Sequence, residues 1–365
     1  MTIGRREFGW LLGGAAAGAA QQTEAKPELT WHDARQFTLE GQAFRDVDAP
    51  YDRLPGRARG VVRDAVWSLS RQSAGLLVRF VSHTTSIHAR WSLGLERLAG
   101  ANSTAVASSG LDLYVKSGAA QWRWLGIGRA TKYPDNVDAL APSMTAGERE
   151  YMLYLPMGNE LKSLEIGFPK GSTAGKAPAR PAGRKPVVFY GTSITHGYSA
   201  SRSGMTHVSL LGRWLDREVF NLGFSGNGKM EPEVTRFLVE LDPAVFVIDC
   251  LPNMVAAEVR ERTVPIVKTL RAAHPKTPIL LVEDRNYADS FLNPQRRERN
   301  ETNHVALREE YAKLKAEKAP GVAYLEAARL LGGDGEGTID GSHPTDLGFV
   351  RQAEEFAKAL RPLLR

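Results

Sequence analysis

The sequence predicts a two-part fold: an all-β sandwich followed by an α/β domain with a flavodoxin-like, doubly wound parallel sheet. Two changes along the chain carry this reading. From Leu29 to Phe168 short apolar runs alternate with period two between turn residues, whereas after Lys185 apolar strands take turns with amphipathic helical stretches. Between them lies KGSTAGKAPARPAGRKP, rich in Gly, Ala, Pro and positive charge. The expected boundaries are an export signal over 1–25, a β-sandwich over 28–170, a linker over 171–185 and an α/β domain over 186–365.

In the first part the expected strands are VVRDAVWSL, GLLVRFVS, SIHARWSL, LDLYVK, WRWLGI, REYMLYLP and LKSLEIGF. Trp67, Trp91, Trp122 and Trp124 are assigned there as bulky sandwich-core or groove residues. In the second part Val187–Tyr190, Val219–Leu222, Ala244–Ile248, Ile279–Val282 and Val322–Leu325 read as buried strands, with a helix near Met205–Arg217. Parallel strands need crossover helices on both faces, and ligands then lie beyond the strands' carboxyl ends.

Composition narrows the chemistry. The chain has 365 residues, a formal charge of +6 and scattered basic residues, apart from a cluster at Lys176, Arg180, Arg184 and Lys185. A nucleic-acid partner is not expected. The single cysteine, Cys250, excludes an intramolecular disulfide and offers no thiolate cluster; it is assigned to the core. No metal and no cofactor are expected.

Near the amino terminus, Arg5-Arg6 precedes an apolar, Ala/Gly-rich run from Phe8 to Ala20 that is too short to span a bilayer. The stretch GRREFGWLLGG resembles a twin-arginine export signal, which implies a periplasmic or secreted protein with no stable membrane insertion once the signal is removed.

Four polar clusters fall just beyond expected strand ends: GTSITHG, GFSGNG, CLPNM and DGSHPTD. Together they suit acyl transfer. Ser193 sits in a tight strand-to-loop turn as the candidate nucleophile, His343 is the candidate base and Asp340 the group that orients it. The backbone amides of Ser193 and Gly226 and the side-chain amide of Asn253 are candidate oxyanion donors. His196, three residues beyond Ser193, is expected to point elsewhere, and Glu283, Asp284 and Arg285 are expected to form an exposed charged loop or to touch substrate.

These residues resemble the SGNH hydrolases, the GDSL-like esterase superfamily. The resemblance assigns Ser193 to the first block, Gly226 to the second, Asn253 to the third and the Asp340–His343 pair to the last. GTSI stands where GDS is usual, and LPNM where GxND is usual; neither change removes a catalytic atom. Gly110-Leu111-Asp112-Leu113-Tyr114 resembles the GxDLY motif of amino-terminal modules joined to one branch of the superfamily. The resemblance implies an exported serine esterase acting on short acyl esters, acetyl above all, of a carbohydrate or small molecule. An acyltransferase using the same residues and a non-catalytic glycan-binding protein are the alternatives.

Overall fold

The computed structural model describes residues 28–118 and 121–364; the export signal expected over 1–25 lies outside them. Ten antiparallel strands come first among the described residues. They are β1 (Leu29–Asp33), β2 (Thr38–Glu40), β3 (Leu77–His83), β4 (Ile87–Leu93), β5 (Leu111–Ser117), β6 (Gln121–Gly128), β7 (Asp135–Ala141), β8 (Glu148–Tyr154), β9 (Leu161–Pro169) and β10 (Thr173–Lys176). One sheet runs β1-β9-β4-β7; the other runs β10-β3-β8-β5-β6, with β2 paired to β3. Period-two patterning produces the sandwich, since β4 buries Ile87, Ala89, Trp91 and Leu93 on one face while His88, Arg90 and Ser92 stay partly or fully exposed. From the other sheet Phe80 and Tyr151 face them, stacked with ring centroids 5.2 Å apart, and Phe168 of β9 joins the same core.

Two short helices interrupt the strands, α1 (Asp64–Ser70) and α2 (Ala105–Ser109). The first corrects the reading of VVRDAVWSL as a strand. Within α1, Val66 and Ser70 are buried at a spacing of four, the helical period, and Val66, with Val62 just before the helix, packs with Phe44, Leu54 and Ala58 against the parallel sheet rather than in the sandwich. Trp67 goes with them, half-buried on that cluster, so its assignment to the sandwich is also corrected. Trp91 is in the sandwich core, Trp122 is half-buried beside Tyr114 and Tyr154, and Trp124 is 51% exposed under the Arg202 guanidinium.

The segment expected as a linker is not free chain. Thr173–Lys176 adds strand β10 to β3, Arg180 pairs with Glu40 at 2.8 Å and Asp216 at 3.0 Å, and Lys185 pairs with Asp242 at 2.7 Å. The basic cluster is therefore largely neutralised by carboxylates of the same chain.

The second part contains β11 (Val187–Gly191), α3 (Ser193–His196), α4 (His207–Trp214), β12 (Val219–Gly223), α5 (Pro232–Leu238), β13 (Val245–Asp249), α6 (Ala256–Ala273), β14 (Ile279–Val282), α7 (Pro294–Ala316), β15 (Val322–Leu325) and α8 (Asp346–Leu363). The parallel order is β12-β11-β13-β14-β15, which puts the topological switch beside β11. Alternate residues divide between two cores: Val188, Tyr190, Phe246 and Ile248 face α5, α6 and α7, whereas Val187, Phe189, Val245 and Val247 face α4 and α8.

Edge strand β12 is closed by a side chain from the first part. Arg53, 1% exposed, donates Nη1 to the carbonyls of Asn221 (2.9 Å) and Gly223 (2.8 Å), Nε to Gln72 (2.7 Å) and Nη2 to Leu69 (2.7 Å). Burial pushes its pKa down to about 9, and the Phe224 ring lies 5.1 Å from the guanidinium carbon. One cation thus satisfies outward carbonyls that an open edge would expose. Replacing it with Met leaves four buried acceptors without that donor. Arg53→Met is expected to lose about 3 kcal/mol or more of stability in urea unfolding, and near-unchanged stability would contradict this role.

Candidate active site

Strand β11 ends at Gly191, and the chain turns at Thr192 into the one-turn helix α3, which begins with Ser193. Thr192 is fully buried and accepts the Ile194 amide at 3.3 Å. The residue that distinguishes GTSI from GDS therefore acts as a helix cap. The loop after β12 closes on this turn: the Phe224 amide donates to the Gly191 carbonyl at 2.9 Å, and a Cβ on Gly228 would lie 1.9 Å from that same oxygen. Only glycine fits there. Gly226 occupies the left-handed region at φ +69°, and its amide has no acceptor among the described residues.

The last loop carries the other two candidates. Ser193 Oγ lies 2.8 Å from His343 Nε2, and His343 Nδ1 lies 2.7 Å from Asp340 Oδ2. Asp340 Oδ1 accepts the backbone amides of Ser342 at 3.0 Å and His343 at 2.8 Å. Burial pushes this carboxyl upward, but the hydrogen bonds from His343 and Ser342 and the nearby imidazole outweigh it and hold Asp340 below the usual carboxylate range. Thr345 caps α8 directly after the loop, its hydroxyl accepting the Gly348 amide at 3.4 Å.

Asn253 follows β13 in a single 3₁₀ turn, Leu251–Asn253. Its Oδ1 accepts the Gly228 amide at 3.3 Å, leaving its side-chain NH₂ as the available donor. Arg299 fixes this turn by donating to the carbonyls of Pro252 (2.9 Å) and Met254 (3.1 Å) while it pairs with Asp284 at 3.1 Å. Ser193, Ile194, Pro252, Asn253, Tyr287, Arg296, Asp340, Ser342 and His343 line an open cleft of about 320 Å³. Of the candidate nucleophile, base, orienting group and oxyanion donors, Ser193, His343, Asp340 and Asn253 border this cleft, and Gly226 does not, although its loop abuts the cleft through Gly228 and Asn253.

The remaining sequence candidates fall elsewhere. His196 is fully buried, its Nε2 2.8 Å from the Met157 carbonyl, and burial drives its pKa well below the usual value. Cys250 lies in the core, where burial pushes its thiol well upward. Glu283, Asp284 and Arg285 correct both expectations made for them, for all three are buried and paired and none lines the cleft. Arg285 joins Asp249 to Gln352 behind the Ser193 turn, and Thr195 Oγ1 donates to that aspartate at 2.9 Å. Burial raises Asp284 to about 6 despite Arg299.

Three contributors were not singled out in the sequence. Tyr287 and Arg296 line the cleft from the segment after β14, a strand-end position at which they could have been sought. Asn102, from the sandwich module, donates to Asp340 Oδ2 at 2.7 Å across 238 residues of chain, and no local pattern points to it.

The GxDLY segment is a docking element. Asp112, fully buried, accepts Arg202 at 3.0 Å and the Gly204 amide at 2.8 Å, while Tyr114 lies against Arg202 and Arg213. Both arginines belong to the segment between the Ser193 turn and the end of α4.

Comparison with known proteins agrees with this architecture. The GDSL-like Lipase/Acylhydrolase family matches residues 184–361, and the family described as the N-terminus of Esterase_SGNH_hydro-type matches residues 29–174. A protein from Bacteroides ovatus ATCC 8483, assigned as a GDSL-like lipase, is 34% identical, with 92% of this chain and 98% of that one covered and a TM-score of 0.87. The salicylyl-acyltransferase SsfX3 from a tetracycline biosynthetic pathway is 18% identical (93% and 98% covered, TM-score 0.71). A family two carbohydrate esterase from Cellvibrio japonicus is 14% identical (92% and 98% covered, TM-score 0.57). Among curated proteins no match is found. The β-sandwich, the parallel sheet and the 34% identity along the chain establish that this protein belongs to the GDSL-like lipase/acylhydrolase family, hydrolases that act on esters.

Proposed function

We propose that this protein is an exported serine esterase that removes short acyl groups, acetyl above all, from a carbohydrate or a similar hydroxylated molecule. The observation that carries the proposal is the unbroken hydrogen-bond chain from Ser193 Oγ through the His343 ring to Asp340 Oδ2, at the edge of a solvent-open cleft.

The chemistry follows from that chain. Ser193 Oγ attacks the ester carbonyl carbon as its proton passes to His343 Nε2, and Asp340 stabilises the imidazolium through Nδ1. The carbonyl oxygen becomes an alkoxide held by the Ser193 and Gly226 amides and the Asn253 side chain. Collapse breaks the bond to the alcohol, which leaves with the proton from Nε2. A water then gives its proton to Nε2 and attacks the acyl-serine; the carboxylic acid departs, and Ser193 regains its proton. If a second alcohol enters in place of water, the same residues catalyse acyl transfer.

A cleft of about 320 Å³ accommodates a short acyl group beside part of an alcohol, and Asn253, Tyr287, Arg296 and Ser342 offer polar contacts suited to a hydroxylated leaving group. Structural neighbours include both a carbohydrate esterase and an acyltransferase. Export is supported by the Arg5-Arg6 pair and the apolar run behind it. The described residues contain no helix long and apolar enough to cross a membrane.

A fluorophosphonate should label wild-type protein at Ser193 and leave Ser193→Ala unlabelled; labelling that persists in the variant overturns the assignment. Asp340→Asn should lower kcat by roughly 10³–10⁴-fold through the wrong imidazole tautomer. Asn253→Ala should cost roughly 10²–10³-fold, the effect of losing one oxyanion donor. With aryl acetates, butyrates and octanoates, kcat/KM should fall as the chain lengthens, and an added alcohol acceptor should not divert the acetyl group from water. A preference for octanoate would refute the short-acyl reading. For export, replacing Arg5 and Arg6 with Lys should leave the precursor in the cytoplasm of a host with a twin-arginine pathway, and undiminished export would contradict the assignment.

A further inference from the structure

The sandwich module reaches the candidate catalytic residues at one turn. Gly100 and Ser103 exchange backbone hydrogen bonds, N to O at 3.0 Å and 3.4 Å, and so close a four-residue turn with Asn102 at its tip. Residues on the carboxyl side of this turn hold the segment after the nucleophile helix. Ser103 Oγ accepts the Ser199 amide at 3.3 Å, and Thr104 Oγ1 donates to the Ser201 carbonyl at 2.9 Å. Ser201 is in turn held by Asp346, three residues beyond His343, whose carboxylate accepts the Ser201 amide at 2.8 Å and the Ser201 hydroxyl at 2.5 Å. Asn159 anchors the start of the same loop, binding the Leu95 amide and carbonyl, each at 2.9 Å.

From this fixed base Asn102 Nδ2 donates to Asp340 Oδ2 at 2.7 Å, the same oxygen that faces His343 Nδ1. The two backbone amides at Oδ1 belong to the loop that carries Asp340 and move with it. Without Asn102 the carboxylate could pivot about its Oδ1 anchor. We infer that the Gly100–Ser103 turn is a positioning element of the active site, in which Asn102 fixes the Asp340 carboxylate and through it the orientation of the His343 ring; this rests on reading Ser193, His343 and Asp340 as the catalytic set. The module therefore contributes directly to the rate, beyond its docking through Asp112 and Tyr114.

Two effects separate this role from simple packing. Once the carboxylate pivots, Oδ2 no longer faces Nδ1 squarely and stabilises the imidazolium less. The imidazolium then loses its proton at lower pH, and the acid limb of the kcat/KM profile moves downward. The other titratable or charged groups about the loop, Tyr287, Asp289, Arg296 and Asp346, are untouched by the substitution. The second effect concerns isosteric replacement: Asn102→Asp retains the side-chain shape but substitutes an acceptor for the donor and sets two carboxylates together. Packing alone would tolerate Asp better than Ala, whereas positioning predicts the reverse order.

The test uses full-length wild type, Ser193→Ala, Asn102→Ala and Asn102→Asp, each checked for an unchanged melting temperature. Rates of fluorophosphonate labelling and kinetics on an aryl acetate are measured across pH. Expected are a loss of about ten-fold in kcat for Asn102→Ala with KM nearly constant, a lowered acid limb, and a larger loss for Asn102→Asp. Asn102 variants within two-fold of wild type throughout the pH range, while Ser193→Ala is inert, overturn this inference and leave the nucleophile assignment standing. Activity that survives Ser193→Ala overturns the catalytic set and this inference with it.

Discussion

The hydrogen bond between Ser193 Oγ and His343 Nε2, 2.8 Å long, joins groups separated by 150 residues. Its length depends on where two loops of one sheet end, and so on everything that fixes those loops. Ser193 follows β11, a central strand paired on both sides by β12 and β13, whose position the sheet determines. His343 follows no strand directly. Its loop lies beyond β15 and gains its geometry from Asp340, from the cap of α8 and from contacts with neighbouring loops, including the Ala288 amide on the Gly341 carbonyl at 2.9 Å. The site thus combines a proposed nucleophile fixed by the sheet with a proposed base that must be held locally.

The surrounding buried charges make structural sense in that light. Asp249, Arg285 and Gln352 link the ends of β13 and β14 to α8, while Arg299 and Asp284 brace the turn that presents Asn253. Such groups are costly to bury unless they are paired, and here each anchors a rim loop whose position the proposed chemistry needs. The first module takes part in the same bracing from outside: Arg53 seals the edge of β12, the Asp112 carboxylate holds Arg202 and Gly204, and Asn102 touches Asp340. The two parts also share apolar packing, since Phe44, Leu54, Ala58, Val62 and Val66 join one core of the parallel sheet, and the polar contacts between them gather around the Ser193 side of that sheet.

Much of this was legible in the sequence, because periodicity reports burial. The five parallel strands and the alternating strands of the sandwich each carry an apolar pattern that only one kind of element satisfies. The four polar clusters were legible for a related reason, as chemistry at strand ends stands out against apolar strands. The errors also have physical causes. VVRDAVWSL is short and rich in β-branched residues, so its alternation resembled a strand while its burial follows four-residue spacing. The linker composition gave no sign that Thr173–Lys176 would pair with β3, since edge pairing depends on backbone groups that any sequence supplies. Glu283, Asp284 and Arg285 looked like a surface loop because partners such as Arg308, Arg299 and Asp249 lie far along the chain. Asn102 was invisible for the same reason: a single polar side chain in a turn carries no pattern, and its partner is fixed only by tertiary structure.

The central claim is that Ser193 carries the acyl group during turnover. Acid-quenched reaction with an aryl acetate, followed by peptide mapping by mass spectrometry, addresses it most directly. The account predicts a transient acetyl group on the peptide containing Ser193, at that residue and absent before mixing; an acetyl group trapped reproducibly on another side chain would contradict it.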